Sequence, residues 1–353
     1  MKKQIRINFC NFGNMQAGAQ ELIKILEKHF IVIQDRENPQ YVFYSVFDAW
    51  RGDGWGGRDF LEYPNSVRIF YTGENSCPDF NLCDYAIGFD HIAFFDRYVR
   101  FPLYLFYFKD FKHALNKHKD ISPEILESKP RFCNFIVSNS GLADPFREKA
   151  FKALSQYKHI DSGGGFLNNT GYKLTDKFAF QSECKFSLCF ENSSHKGYIT
   201  EKLIQAAAAK TIPIYWGDER ACLPISKMGG GINKKAIVFV ENLEQMVQEV
   251  QYLDNNDEAF LAKLREPLFL DSHHKDIFYD ALEQFLKNIC QQDFQNAFRR
   301  TLFGWNMHHT NYIKDMAYTY KKIQRLKLRI KNTLERLKIM RILEYLRVKI
   351  TGK

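Results

Sequence analysis

The segment Cys184–Asp218, CKFSLCFENSSHKGYITEKLIQAAAAKTIPIYWGD, constrains the fold more than any other part of the chain. An apolar run of strand length at Phe186–Phe190 is followed by a polar loop and by an Ala-rich stretch at Glu201–Lys210. A second apolar run lies at Thr211–Trp216. Short apolar runs on either side of a helix predict a parallel βαβ unit, and Thr200 lies where the N-cap of that helix is expected.

The loop that enters this predicted helix carries polar side chains suited to a phosphorylated sugar. Asn192 and Tyr198 lie in the loop, and Glu201 and Lys202 begin the helix. A helix N-terminus presents unpaired N–H groups and a partial positive charge, so it favours an anion such as a phosphate. Lys202 adds a full positive charge there, and the Glu201 carboxylate can accept hydrogen bonds from sugar hydroxyls. We therefore expect a ligand that combines a phosphate with a sugar.

The length of 353 residues and the order of the apolar runs predict two α/β units and a tail. Residues 1–128 form the first unit, and a polar connection at 112–130 leads to the second, residues 129–290. The simplest architecture is two Rossmann-like layers that face each other across a cleft. The predicted strands are Gln4–Phe9, Phe30–Gln34, Tyr41–Phe47, Val67–Tyr71, Tyr85–Phe89, Arg131–Ser138, Phe186–Phe190, Thr211–Trp216 and Ala236–Val240, and the predicted helices outside the βαβ unit are Ala17–His29, Pro145–Tyr157, Leu243–Leu253 and Asp276–Cys290.

The formal charge of +9 is unevenly distributed along the chain. Residues 321–353 hold twelve Lys or Arg and two Asp or Glu, a net charge of +10, so residues 1–320 carry a net charge of −1. A nearly neutral body disfavours nucleic acid as a partner. The tail, residues 291–353, is predicted to end in a basic amphipathic helix at about 320–350. Such a helix is drawn to an anionic membrane surface, and its apolar spacing also permits a coiled coil or a partner helix.

The sequence offers no pattern typical of a metal site. Its eight cysteines form no CxxC pair, its ten histidines have no carboxylates at ligand spacing, and no Asp-x-Asp occurs. We therefore expect neither a metal nor a bound cofactor, with protein cations neutralising any diphosphate that leaves. The chain begins Met-Lys-Lys directly before a strand-like run, with no apolar run of membrane-spanning length, so we expect a cytosolic protein with reduced thiols.

Three further residues are candidates for the site, each with a plain structural alternative. Glu74 follows a predicted strand and a glycine, where a general base is expected, and the alternative is a solvated loop carboxylate. Arg147, at a helix start, suits a phosphate or is a surface arginine. Gly164, in a run of three glycines, permits close approach of a ligand or forms a flexible turn. The glycines of GDGWGGRDF (52–60) match a dinucleotide fingerprint by letter only, because no apolar helix begins on them.

Five short motifs, taken together and in order, resemble the α1,3-fucosyltransferase family, in particular its bacterial members. The resemblance runs from about residue 65 to about residue 290, and the third and fourth motifs are its most specific part. The motifs are FYTGEN (70–75), CDYAIGFD (83–90), FEN (190–192), GYITEK (197–202) and IPIYWG (212–217).

The resemblance implies a GT-B fold and an inverting transfer of L-fucose from GDP-fucose to a glycan that contains N-acetylglucosamine, with no metal cofactor required. The acceptor is the 3-hydroxyl of that sugar, or in some members its 4-hydroxyl, in a lactosamine-type glycan. The expected setting is synthesis of a lipopolysaccharide or capsular glycan, with the protein peripheral at the inner face of the cytoplasmic membrane. A related transferase with another nucleotide sugar and a non-catalytic peripheral membrane protein are the alternatives.

The same resemblance implies roles for individual residues. Glu74 becomes the base that takes the proton of the acceptor hydroxyl. Lys202 and Arg147 become a clamp on the diphosphate of the donor. The other donor-site candidates, whose individual contacts to ribose, fucose or phosphate the resemblance does not assign, are Asn192, Tyr198, Glu201 and Gly164.

Overall fold

The computed structural model of the protein describes residues 2–13, 16–48, 54–55, 58–138, 141–172 and 174–336. The strands of the first unit form a six-stranded sheet in the order β2-β1-β3-β6-β7-β8, in which every neighbouring pair is parallel. The two short strands β4 and β5 pair antiparallel with each other. These elements are β1 (Gln4–Cys10), β2 (Ile31–Gln34), β3 (Tyr41–Tyr44), β4 (Phe47–Asp48), β5 (Gly54–Trp55), β6 (Val67–Tyr71), β7 (Tyr85–Gly88) and β8 (Tyr98–Arg100).

The second sheet has five strands, all parallel, in the order β10-β9-β11-β12-β13. Its central strand β11 is bordered by β9 and β12, so the segment that follows β11 lies at the middle of the carboxyl edge of the sheet, where open α/β sheets bind ligands. The strands are β9 (Arg131–Phe135), β10 (Ile160–Ser162), β11 (Cys184–Phe190), β12 (Ile212–Trp216) and β13 (Val238–Phe239).

Ten helices are present in the described residues. Among them, α5 connects β11 to β12, which confirms the predicted βαβ unit; in this unit Phe186 lies opposite Ile212. The helices are α1 (Gln16–Glu27), α2 (Phe108–Leu115), α3 (Phe146–Ser155), α4 (Lys177–Ser182), α5 (Glu201–Ala208), α6 (Leu243–Asp254), α7 (Asp257–Arg265), α8 (His274–Gln291), α9 (Phe294–Ala297) and α10 (Gly304–Arg336).

One hydrophobic cluster is shared by the two sheets, and each sheet also packs a separate cluster on its other face. Buried side chains of the first sheet, such as Ile69, belong to the same apolar cluster as Leu203 on α5 and Tyr215 on β12. The helices α2 and α5 pack against each other between the sheets, and the Gln205 amide donates a hydrogen bond of 2.9 Å to Asp110. This shared core holds the carboxyl ends of β6 and β11 in a fixed relation.

Helix α8 crosses back onto the first sheet, although the sequence analysis places residues 274–290 in the second unit. It packs on α1 and β8, and Glu283 on α8 pairs with His29 at 2.7 Å. The Lys3 ammonium donates to the carbonyl of Cys290 at 2.8 Å. The apolar face of this helix is completed by Phe285, whose ring centroid lies 5.9 Å from that of Tyr85 on β7. By sequence order α8 belongs to the second unit, but it packs on the first.

The tail is anchored to the first sheet before its long helix begins. Asp84 is fully buried and accepts hydrogen bonds from the backbone N–H groups of Arg299 and Arg300, each at 2.8 Å, and from the Arg300 guanidinium at 2.9 Å. Helix α10 then starts at Gly304, earlier than the predicted 320, because its first turns pack on the first unit, where Ile313 contacts the apolar cluster around Phe60. The remainder of the predicted helix, residues 337–350, lies outside the described residues. Among those that are described, no helix is both long and apolar enough to cross a membrane.

Candidate active site between the two sheets

A buried carboxylate organises the loop that follows β11. Glu191 is fully buried, and its Oε1 accepts the backbone N–H of Thr200 while its Oε2 accepts the Thr200 hydroxyl, both at 2.7 Å. Thr200 is the N-cap of α5, as the sequence predicts, but its own side chain makes no capping bond. Glu191 binds the N-cap residue itself, so the start of α5 is fixed to the end of β11.

The same carboxylate holds the ammonium group of Lys202. Its Nζ donates to Glu191 Oε2 at 3.2 Å and to the Thr200 hydroxyl oxygen at 2.9 Å, and it lies 3.6 Å from the carboxylate of Glu201. Burial opposes protonation of this lysine, yet the carboxylates of Glu191 and Glu201 raise its pKa above the ordinary value. Lys202 is therefore a permanent positive charge at the N-terminus of a helix, where it can stabilise a phosphate.

Glu201 stays ionised beside this lysine. Burial opposes its ionisation, but the ammonium groups of Lys202 and Lys177 hold its pKa below the ordinary value. Lys177, at the start of α4, donates to the amide oxygen of Gln205 on α5 at 2.6 Å. Around the start of α5 lie therefore the ammonium groups of Lys202 and Lys177 and the carboxylates of Glu201 and Glu191, groups that can bind a phosphate and sugar hydroxyls.

Glu74 reaches the same region from the first sheet. It follows β6, is partly buried, and its backbone N–H donates to the Thr72 hydroxyl oxygen at 3.0 Å. Burial raises its pKa, the charge of Lys202 acts in the opposite direction, and the carboxylates of Glu201 and Glu191 raise it further. The charges of Lys202, Glu201 and Glu191 in the second unit therefore act on Glu74 in the first unit. A partly buried carboxylate with a raised pKa at such a place suits a general base.

Tyr198 joins the two loops at this boundary. Only 2% of its surface is exposed, and its ring centroid lies 5.0 Å from that of Phe89, which follows β7 of the first sheet. Burial raises the pKa of its hydroxyl, and the charge of Glu191 adds to this effect. A second link between the units is the hydrogen bond from the Asn75 amide, next to Glu74, to the Ser193 hydroxyl.

Arg147 is buried and holds the loop that follows β11. It is 1% exposed, and its guanidinium donates to the carbonyl of Phe190 at 3.0 Å and to the side-chain oxygen of Asn192 at 2.7 Å. Burial lowers its pKa, and the charge of Glu191 opposes this. The structure therefore joins the two candidates Arg147 and Asn192 directly, and the surface alternative for Arg147 is wrong. Its predicted contact with a diphosphate stays a prediction.

Gly164 is required by the backbone of the protein itself. A Cβ at this position would lie 2.1 Å from the carbonyl oxygen of Val137, and one at Gly165 would lie 2.9 Å from that of Ser138. The loop follows β10, so it lies at the same carboxyl edge of the second sheet as Asn192, which follows β11. The glycine run therefore approaches the segment that follows β9, and the expected close approach of a ligand to Gly164 stays a prediction.

Sequence reasoning missed Glu191 and the pair of Asp90 with His195. Glu191 is the middle residue of the FEN motif. Its place directly after a predicted strand is the signal in the sequence that could have identified it. His195 Nε2 lies 2.8 Å from Asp90 Oδ1 across the two units, and both residues line a cleft of about 570 Å³. Gly197 has a φ of +89° and would place a Cβ 2.3 Å from the carbonyl oxygen of Phe89, so only glycine fits this close crossing.

Across the parts of the chain that the structure describes, no group of three or more His, Cys, Asp or Glu side chains is arranged to hold a metal ion. Lys202 instead gathers a group of charges at the boundary of the two units, with the carboxylates of Glu191 at 3.2 Å and Glu201 at 3.6 Å, and its charge also acts on Glu74. This arrangement can bind a phosphorylated donor at the start of α5 and supply a base from the first unit.

Two family profiles match the chain, one for each unit. The Alpha-(1,3)-fucosyltransferase FucT N-terminal domain matches residues 7–107, and Glycosyltransferase family 10 (fucosyltransferase) C-term matches residues 126–292. Glu74 lies in the first of these segments, and Glu191, Glu201 and Lys202 lie in the second.

Individual proteins give the same result. Alpha-(1,3)-fucosyltransferase FucT of Helicobacter pylori is 34% identical over 294 residues, which are 73% of this chain and 59% of that protein. A putative fucosyltransferase of Acanthamoeba polyphaga mimivirus is 28% identical over 261 residues, 69% of this chain and 40% of that protein. This chain therefore spans about half the length of these relatives.

A solved structure extends the likeness to three dimensions. The crystal structure of an alpha1,3-fucosyltransferase with GDP-fucose aligns with a TM-score of 0.64 at 29% identity, over 83% of this chain and 92% of that chain. The family resemblance and the α/β fold of two units expected from the sequence are confirmed. The chain belongs to glycosyltransferase family 10, the fucosyltransferases.

Proposed function

We propose that this protein is an inverting α1,3-fucosyltransferase that moves L-fucose from GDP-fucose to the 3-hydroxyl of N-acetylglucosamine in a lactosamine-type glycan. One observation carries the proposal beyond family membership. Glu74 at the edge of the first sheet lies in the electrostatic field of Lys202, which is fixed at the start of α5 in the second sheet. A base from one unit and a phosphate-binding cation from the other, close to the boundary of the units, suit a transfer between two bound sugars.

The reaction follows from these positions. The Glu74 carboxylate accepts the proton of the acceptor hydroxyl, and the oxygen attacks the anomeric carbon of fucose from the side opposite the diphosphate. The bond between that carbon and the phosphate oxygen breaks, and its electron pair stays on GDP. Attack from the opposite side inverts the anomeric configuration. Lys202 stabilises the negative charge that develops on the leaving diphosphate.

The donor is held by the end of β11 and the start of α5. In this proposal Lys202 and the first N–H groups of α5 bind the diphosphate, and Arg147 supports them. The groups that contact the ribose or fucose are Asn192, Tyr198 and Glu201, and the Gly164 loop closes the same edge. Positive charge from the protein takes the part that a metal ion plays in other transferases, so no divalent metal is required.

An assay of fucose transfer from GDP-fucose to N-acetyllactosamine in excess EDTA tests the activity and the metal requirement together. We expect a product in which fucose is linked to the 3-hydroxyl, with the configuration inverted relative to the donor. Binding of GDP, UDP and CMP in competition identifies the nucleotide. No transfer to any of several acceptors, or preferred binding of UDP, contradicts the proposal.

We further propose that the protein works on a lipopolysaccharide or capsular glycan at the inner face of the cytoplasmic membrane. Support comes from the end of the sequence, where residues 337–353 hold five Lys or Arg and one Glu. A variant that lacks 337–353 is expected to lose sedimentation with vesicles that contain phosphatidylglycerol while it keeps transfer to soluble N-acetyllactosamine. Unchanged sedimentation of that variant contradicts the membrane proposal.

A further inference from the structure

A second buried carboxylate lies beside the loop that joins β11 to α5. Asp218 follows β12 and is fully buried. Its Oδ1 accepts the backbone N–H of Arg220 at 2.8 Å, and its Oδ2 accepts the backbone N–H of Gly197 at 2.9 Å. One oxygen therefore holds the turn that contains Asp218, and the other holds the neighbouring loop. Residues 191–200, which include the donor candidates Asn192 and Tyr198, are called the donor loop from here on.

The last four residues of the donor loop are fixed at both ends by buried carboxylates. Glu191 accepts the backbone N–H and the hydroxyl of Thr200, both at 2.7 Å, and Asp218 accepts the backbone N–H of Gly197. Tyr198 lies between these two points and is only 2% exposed. The backbone on either side of Tyr198 is thus held by an acid, and the position of its ring depends on both contacts.

The turn after β12 also holds the donor loop through its main chain. The Ser194 hydroxyl donates to the carbonyl oxygen of Gly217 at 2.6 Å, and the backbone N–H of Glu191 donates to that of Trp216 at 2.9 Å. Three successive residues, 216–218, therefore accept hydrogen bonds from the donor loop. Asp218 is the one among them that uses its side chain.

The burial of Asp218 gives its contacts a large energetic weight. A carboxylate inside a protein is costly unless donors compensate it. Burial raises the pKa of Asp218, while the N–H groups of Arg220 and Gly197 and the charges of Arg100 and Arg220 act in the opposite direction. If the donor loop moved away, Oδ2 would lose the N–H of Gly197 while still enclosed. The carboxylate therefore favours the position of the loop that is observed.

We propose that Asp218 is a positioning residue for donor binding, which holds Gly197, and through it Tyr198, in the place where the donor loop binds GDP-fucose. The inference rests on the proposed function, because it adds a residue to the same donor site. Asp218 acts through the donor loop and contacts no substrate. In this account the donor loop depends on two acids, Glu191 at the end of β11 and Asp218 after β12.

The variant Asp218→Asn tests the proposal. Asparagine offers one acceptor oxygen where aspartate offers two, so the N–H of Gly197 or that of Arg220 then faces an NH2 group. We expect the Kd for GDP, measured by calorimetric titration, to rise by roughly fivefold to fiftyfold. The KM for GDP-fucose should rise with it, while kcat at saturating donor changes by less than about threefold. An unchanged Kd for GDP would overturn the inference.

Asp254→Asn is the matched control for a general loss of stability. Asp254 is also a buried acid of the second unit, with a side chain that is 4% exposed, and it accepts hydrogen bonds from Lys158 at 2.9 Å and from Lys185 at 3.1 Å. Lys185 lies at the amino end of β11, whereas the donor loop follows its carboxyl end. Both variants should have a lower melting temperature, but only Asp218→Asn should bind GDP more weakly. Equal weakening in both variants would show an effect of stability alone and contradict the proposal.

Ser194→Ala provides a test that does not depend on the folding of Asp218→Asn. Ser194 is exposed, so its substitution should leave the fold intact, but it removes the hydrogen bond to the carbonyl oxygen of Gly217. This loosens the same hold of the turn on the donor loop, and the Kd for GDP should rise by roughly twofold to fivefold. If Asp218→Asn does not fold, an unchanged Kd in Ser194→Ala overturns the inference.

Nucleotide binding keeps this inference distinguishable from the proposed function. Weaker GDP binding in Asp218→Asn supports the positioning role even if no fucose is transferred by the unmodified protein. If UDP binds more tightly than GDP, the donor of the proposed function is wrong, and the same comparison with UDP still tests Asp218. A raised KM for N-acetyllactosamine with an unchanged Kd for GDP would assign Asp218 to the acceptor side and contradict the inference.

Discussion

The carboxylate of Glu191 lies 3.2 Å from the ammonium of Lys202, and the same carboxylate accepts the backbone N–H of Thr200, the N-cap of the helix that carries Lys202. Glu191 is fully buried and Lys202 is largely buried, so their charges are only weakly screened by water and depend on each other. The pair fixes a cation at the start of α5, next to where the donor diphosphate is proposed to bind.

We expect Glu191→Gln to weaken GDP binding and to lower the free energy of unfolding by about 1–3 kcal/mol. The amide can still accept a bond from Thr200, but it cannot compensate the charge of Lys202. Calorimetric titration with GDP and urea unfolding measure the two effects. As a control, Glu183→Gln breaks a half-exposed pair with Arg131 and should change the stability by less than about 1 kcal/mol. GDP affinity unchanged in Glu191→Gln contradicts the positioning role.

Arg147→Lys should lower the free energy of unfolding by about 1–3 kcal/mol, because lysine cannot reproduce the bonds from one guanidinium to Phe190 and Asn192. Donor binding should weaken as well, since Asn192 loses its support. Urea unfolding and the KM for GDP-fucose measure the two effects on one sample. Full stability with a raised KM would show that the arginine serves the ligand alone and not the loop.

A third prediction concerns the close contact between the glycine loop and β9. Gly164→Ala places a methyl group 2.1 Å from the carbonyl oxygen of Val137, so the loop has to move, at about 1–3 kcal/mol of stability. Gly18→Ala is the matched control. Gly18 lies within α1, and its added Cβ would meet the ring of Phe106 at an ordinary distance of 3.7 Å, so this substitution should be neutral or stabilising. Thermal unfolding distinguishes the two. Equal melting temperatures for Gly164→Ala and the unmodified protein contradict the packing described here.

The pH dependence of transfer should report the environment of Glu74. A base acts only when it is unprotonated, so kcat/KM falls as the pH falls through its pKa. Because burial raises that pKa, the fall should begin at a higher pH than an exposed glutamate would give. Lys202 lowers the pKa of Glu74, so Lys202→Met should move the acid limb of the kcat/KM profile to still higher pH. The same variant should also weaken donor binding. A limb that moves to lower pH in this variant contradicts the proximity of the two groups.

The sequence was sufficient for the elements that have a strong local pattern. The βαβ unit of β11, α5 and β12 was predicted because its two apolar runs are buried strands and its helix starts at a polar residue. The strands β8 and β10 were missed because each has three residues, too few for a periodic pattern. The helices α2, α4 and α7 were missed for a related reason, because each is short and depends on tertiary packing.

The candidate site divides in the same way. Lys202 and Glu201 became candidates because a helix start is visible in the sequence, and Glu74 became one because it follows a strand; their roles stay predictions. The burial of Arg147 was not visible, since it depends on the path of the segment after β11. The pair of Asp90 with His195 joins residues 105 positions apart, and only the packing of the two sheets brings them together.

The central claim is that Glu74 acts as the base while the second unit holds the donor. The most direct test compares Glu74→Gln with the unmodified protein. Transfer of fucose to N-acetyllactosamine and binding of GDP-fucose are measured on the same preparation of each. We predict that kcat falls by about 10²- to 10⁴-fold while the Kd for GDP-fucose changes by less than about threefold, because the variant removes proton transfer and leaves the Glu191–Lys202 pair in place. Undiminished kcat in Glu74→Gln would contradict the account.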